Sequence, residues 1–125
     1  MHKVFTYFEI AARLTMSKKD RRQFLLGAVG IRHDGTMVSA INAPTEVPQA
    51  RAHAETRLCR KLDVGSVVFV ARCMKGTGQF ALAKPCPSCL LAMRSRRVKR
   101  VYYTTGPDSY EVLNLTKPTP DYEYK

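Results

Sequence analysis

"SVVFVARC", residues 66–73, decides how the chain is built. It is a near-continuous β-branched and apolar run of strand length, lacking the alternation of a strand with one face in water. Such a run belongs in the middle of a sheet covered on both faces. Helices must then lie on either side, and the flanking sequence supplies them.

Just upstream, "AHAETRLCRKLD" (52–63) spaces Ala54, Leu58 and Leu62 along one helix face. Before it, "QFLLGAVGIRHDGTMVSAINA" (23–43) reads as two strands joined at His33-Asp34-Gly35, because Asp-Gly between apolar runs signals a hairpin. "APTEVPQ" (43–49), with two prolines, ends the second strand. Near the N-terminus, "KVFTYFEIAARLTM" (3–16) places Val4, Phe8, Ala11 or Ala12, and Thr15 on one helix face.

Downstream, "KGTG" (75–78) is a turn and "QFALA" (79–83) a short strand, followed by a helix over "CPSCLLAMRSRR" (86–97) with Pro87 tolerated in its first turn. "KRVYYTT" (99–105) and "YEVLNL" (110–115) are strands separated by only "GPDS", so they pair antiparallel. The order α-β-β-α-β-α-β-β predicts an α/β fold of three layers, α-β-α. Its mixed five-stranded sheet has the last two strands antiparallel. The tail "TKPTPDYEYK" is expected to be loosely held.

The chain has 125 residues, enough for one core, so 1–125 is expected to be a single domain. Apolar residues make up 45% and charged residues 25%, an ordinary globular balance. No apolar run approaches a membrane span, and "MHKVFTYFEI" lacks a signal peptide's apolar core. A cytoplasmic location is therefore expected, and the four cysteines read as thiols or metal ligands rather than disulfides.

Charge is the unusual feature. Twenty-one Lys and Arg against ten Asp and Glu leave +11, clustered in "KKDRR" (18–22) and "RSRRVKR" (94–100). A basic surface favours anionic partners: nucleic acid, nucleotides or phosphorylated substrates. The plainer reading is a solvated face that keeps the protein soluble.

The residues that carry chemistry begin at "KPCPSCLLAM" (84–93). Cys86 and Cys89 alone could be a redox pair, half of a structural zinc site or part of a catalytic metal site. "RAHAETR" (51–57), thirty-three residues upstream, adds His53 and Glu55. One imidazole and two thiolates make three ligands, and a hydrolytic centre keeps a position for water. Cys59 lies well around its helix from His53, and Cys73 sits in the buried strand, so both read as core cysteines.

Cys86 and Cys89, at i and i+3 of a helix start, aim their sulfurs the same way, and the positive helix end favours thiolates. His53 and Glu55, at i and i+2, converge only if the metal sits beyond their helix N-terminus. Two thiolates cancel the formal charge of Zn²⁺ and blunt its acidification of water. A carboxylate is then needed beside that water, and Glu55 fits the role.

Together His53, Glu55, Cys86 and Cys89 form H-x-E…P-C-x-x-C, and the chain resembles the zinc-dependent cytidine and deoxycytidylate deaminase superfamily from about residue 3 to 115. "LLGAVGIRHDGTMVSAINAP" is similar to the family's first hairpin and "KRVYYTT" to the strand after the cysteine helix. The resemblance implies that His53, Cys86 and Cys89 bind zinc and that Glu55 shuttles protons. It implies that Asn42 hydrogen-bonds the sugar and that the backbone around Ala54 reads the pyrimidine edge. It also implies a homo-oligomer acting on a small pyrimidine nucleotide or nucleoside.

Free cytidine deaminases usually carry Cys where this chain has His53, so "HAE" leans toward deoxycytidylate, tRNA-adenosine or polynucleotide deaminases. The closing hairpin instead matches the free cytidine and editing branches. Three readings follow: deamination of a cytosine nucleotide, with Lys84 or Arg51 meeting a phosphate; editing of single-stranded DNA or RNA, with Phe80, Tyr102 and Tyr103 stacking bases; and a catalytically silent zinc module, against which Glu55 argues.

Overall fold

The computed structural model describes residues 3–16, 24–41, 54–74 and 79–115. The elements are α1 (Lys3–Met16), β1 (Phe24–Ile31), β2 (Met37–Ile41), α2 (Ala54–Cys59), β3 (Val67–Met74), β4 (Phe80–Ala81), α3 (Pro87–Ser95), β5 (Arg100–Gly106) and β6 (Ser109–Asn114). The main sheet runs β2-β1-β3-β5-β6. Only β3 and β5 are parallel; the other neighbours are antiparallel, β5 and β6 included. The five expected strands thus form the path, and the two-residue β4 adds a sixth alongside β3.

The expected central strand is central. Val68 and Val70 of β3 face one side and join Ala28, Ala54, Leu58, Cys89, Met93 and Val101 under α2 and α3. Phe69 and Ala71 face the other side and join Phe8, Ala11 and Val29 under α1. A strand buried on both faces has no polar side to show, which explains the unbroken apolar run. Under α1 the core is aromatic: Phe69 stacks on Tyr102 at 4.8 Å, and Phe8 meets Phe69, Phe80 and Tyr110 edge-on at about 6 Å.

The β1–β2 turn forms where Asp-Gly predicts it. Gly35 takes a φ of 91°, a left-handed conformation suited to glycine, and the Thr36 amide donates to the Asp34 carboxylate at 2.9 Å. Gly30 has a different reason. A Cβ there would stand 2.5 Å from Leu62 Cδ2, so the bare backbone lets the turn after α2 close onto β1.

Two helix ends depart from expectation. The helix expected over 52–63 is observed from Ala54 to Cys59, because the Lys61 and Leu62 amides turn back three residues to Leu58 and Cys59. Ser66 then closes the loop, donating its hydroxyl to the Asp63 carboxylate at 2.7 Å. α3 ends with Arg97 at φ 58°, in the left-handed position that glycine usually takes after a helix. The Val98 amide reaches back to Met93 O at 3.1 Å, completing the motif. Holding a residue with a Cβ in this conformation costs about 1 kcal/mol.

Candidate metal centre

The approach to the thiols begins at a fork in the sheet. β5 pairs with the first half of β3, Val67–Val70, and β4 pairs with Arg72 and Cys73 beyond it. Thr104 is fully buried where the two partners part. Its hydroxyl donates to Ala81 O at 2.6 Å and accepts from the Arg72 amide at 3.3 Å. The Ala83 amide donates to Thr104 O at 2.8 Å. These bonds steer residues 82–86 off the sheet and into α3.

At the start of α3, Cys86 is extended (φ −73°, ψ 163°) and occupies the N-cap, with Pro87 next, where a missing amide hydrogen costs nothing. The Leu90 amide closes the first turn on Cys86 O at 3.0 Å. Cys89 is wholly buried and Cys86 partly so. Their Sγ atoms lie 3.1 Å apart, and the Ser88 hydroxyl is 3.2 Å from Cys86 Sγ. The gap is well beyond the ~2.05 Å of a disulfide. It is inside the ~3.8 Å that two bonds of ~2.3 Å set at a tetrahedral centre. Two sulfurs converging at a positive helix end suit a thiolate-binding divalent metal.

α2 supplies the other half. Ala54, its first residue, is fully buried in the same core cluster as Cys89, and α2 packs against α3. Both helices therefore begin on one face of the sheet. Glu55 is the second residue of α2, but its side chain lies outside the described residues, as do His53, Asn42 and Arg51. Among the described residues, Cys86 and Cys89 are the expected ligands brought together, and no group of three His, Cys, Asp or Glu forms.

The two further cysteines are core residues, as expected. Cys59 ends α2, and Cys73 lies on the same face of β3 as Phe69 and Ala71, which face α1 across the sheet from the thiols. All four cysteines are thiols.

Two features lie beyond the sequence reading. Arg57 donates to Ile41 O at 2.8 Å and Lys61 to Ser39 O at 2.7 Å, so α2 covers alternate carbonyls of the edge strand β2 just before Asn42. The i, i+4 spacing of these two cations was the available signal. Tyr103 and Glu111 stand opposite each other on β5 and β6, the phenol donating to the carboxylate at 2.9 Å. Burial first, and then Glu111, pushes the Tyr103 pKa above its usual value.

The aromatic residues considered for base stacking are engaged elsewhere. Phe80 and Tyr102 belong to the packing under α1, and Tyr103 is buried. Lys84 is exposed on the segment leading to Cys86.

A family model described as "Cytidine and deoxycytidylate deaminase zinc-binding region" matches residues 1–105. No curated protein matches the chain. Among solved structures, cytidine deaminase from Burkholderia pseudomallei aligns with a TM-score of 0.64 at 18% identity, covering 94% of this chain and 96% of that one. Cytidine deaminase from Mycobacterium leprae aligns at 0.61 and 15%, covering 95% and 100%. The dCMP deaminase of cyanophage S-TIM5, in apo form, aligns at 0.54 and 20%, covering 85% of each chain. At these identities the likeness is one of fold.

Proposed function

The chain belongs to the cytidine and deoxycytidylate deaminase family, and from that membership we propose that it hydrolyses the exocyclic amine of cytosine in a small nucleotide or nucleoside, of dCMP or cytidine type. Water and the cytosine compound are consumed; the uracil form and ammonia are released. The observation that carries this reading is the convergence of Cys86 and Cys89 sulfurs at the start of α3, within the stretch the family model matches.

In this reading Cys86, Cys89 and His53 would hold zinc. Zinc bound there supplies a Lewis acid that makes water a nucleophile near neutral pH. Glu55 takes the proton of the attacking water and passes it to the ring nitrogen and then to the departing amine. Asn42 holds the sugar, and the backbone at Ala54 reads the pyrimidine edge. Ala54 is buried with no polar side-chain atom, so any contact it makes with a base is through its peptide group. Lys84, exposed two residues before Cys86, would meet a phosphate in this reading.

Thiol chemistry and a water-soluble substrate suit a reducing cytoplasm, and we propose a homo-oligomer, to be tested by light scattering. Editing of single strands rests on the charge of +11, and among the described residues the engagement of Phe80, Tyr102 and Tyr103 in packing leaves it without the stacking surface expected for it.

The test is a panel of dCMP, CMP, deoxycytidine and cytidine, monitored for ammonia. Turnover of at least one is expected. Purified zinc-loaded protein that releases ammonia from none would overturn the proposal.

A further inference from the structure

The far end of α3 frames a second cavity. It measures about 570 Å³ and is lined by Val64, Gly65, Arg94, Ser95, Arg97, Val98, Lys99 and Leu115. Ser95 lies nine residues along α3 from Cys86, about 13.5 Å at 1.5 Å per residue, so this groove is not the thiol end.

Among the described residues, three of the lining side chains are cationic and none is acidic. The nearest carboxylate in sequence, Asp63, is held by the Ser66 hydroxyl at 2.7 Å and the His33 amide at 3.2 Å. Cations beside a helix C-terminus offset its dipole, and that accounts for Arg94. It does not account for Arg97 or Lys99, which lie beyond the helix. Arg97 occupies a left-handed position that glycine would fill with less strain, and its guanidinium has no acceptor among the described residues. The Lys99 ammonium likewise has none among them, while its backbone is tied to Ser66 and Leu115. In the same lining, Val64 is 64% exposed. Cationic and apolar walls in one groove of this size suit an amphiphilic anion.

We propose that this groove binds a phosphate ester of nucleotide size, with its phosphates on Arg94, Arg97 and Lys99 and its organic part against Val64 and Leu115. The site stands whether or not the thiol end deaminates cytosine. A polynucleotide is disfavoured because no aromatic residue is among the exposed large hydrophobic side chains described.

The experiment is titration calorimetry of the full chain with inorganic pyrophosphate and with uridine triphosphate, at low salt. Arg97→Gly removes the guanidinium while relieving the backbone, so lost binding cannot be ascribed to unfolding. Arg60→Gln removes the same charge from the exposed turn just after α2. Both probes should bind the unaltered chain, with uridine triphosphate the tighter. Arg97→Gly should weaken both about tenfold or more. Arg97→Lys should recover part of the loss, and Arg60→Gln should change affinity less than about twofold. Equal losses in Arg97→Gly and Arg60→Gln would overturn the site in favour of diffuse charge. Binding of a single-stranded oligonucleotide with none of either probe would overturn the choice of ligand.

Discussion

The two ends of α3 carry opposite chemistry. At its start, two prolines bracket Cys86, Cys89 is buried, and the positive helix end favours thiolates. At its finish, Arg94, Arg96 and Arg97 gather at the negative end, and the last of them holds a strained backbone. One nine-residue helix therefore separates the proposed metal-binding end from the proposed anion-binding end. The thiols and Arg94 follow the helix dipole, Arg97 and Lys99 lie beyond it, and the two ends differ in how they are built. The thiol end is fixed by part-buried hydrogen bonds around the buried Thr104, whereas the cationic end is fixed by backbone geometry and leaves side chains exposed.

Breaking the thiol end should have the largest effect. Cys89→Ser is expected to strip zinc from the protein and reduce ammonia release by about 10³-fold or more, measured as metal content and turnover on one preparation. Thr104→Val tests whether the fork holds the thiols in place. It leaves the part-buried Arg72 amide and Ala81 carbonyl without this partner, a loss of about 1–3 kcal/mol. A fall in Tm of about 5–10 °C should follow, read by calorimetry. The same fold-level loss at the other end is not expected. Arg97→Gly should instead stabilise by about 1 kcal/mol while ammonia release stays near that of the unaltered chain.

The smallest effect is one of pH. The Ser66 hydroxyl and then the His33 amide hold the Asp63 carboxyl below its ordinary value of 3.8. A depressed folded value means that its contribution is present above the unfolded pKa and lost as pH falls through the folded one. Urea midpoints should therefore drop below about pH 4, and the drop should be shallower in Asp63→Asn.

Much of this contrast is legible in the amino acids, for reasons that differ by element. The apolar run at 66–73 announces β3 because burial on both faces removes polar alternation. Asp34-Gly35 announces the hairpin because its turn needs the positive φ that Gly35 takes. C-x-x-C announces the thiol pair because i and i+3 meet on a helix. The early end of α2 is not legible, since it depends on Ser66 and Asp63 closing the loop beyond it. Nor is the fork at Thr104, whose bonds require β4 and β5 to share one edge of β3. Arg97 carries no sequence signal of a helix end, because glycine or asparagine is the residue expected there. His53 and Asn42, with the Glu55 side chain, are expectations from the sequence that lie outside the described residues.

The central claim is that the thiol end is a hydrolytic zinc centre with Glu55 moving its protons. The direct measurement is zinc content and ammonia release of Glu55→Ala on the best substrate of the panel. About one zinc per chain should remain while turnover falls about 10³-fold or more. Turnover near that of the unaltered chain, with zinc still bound, would contradict the account.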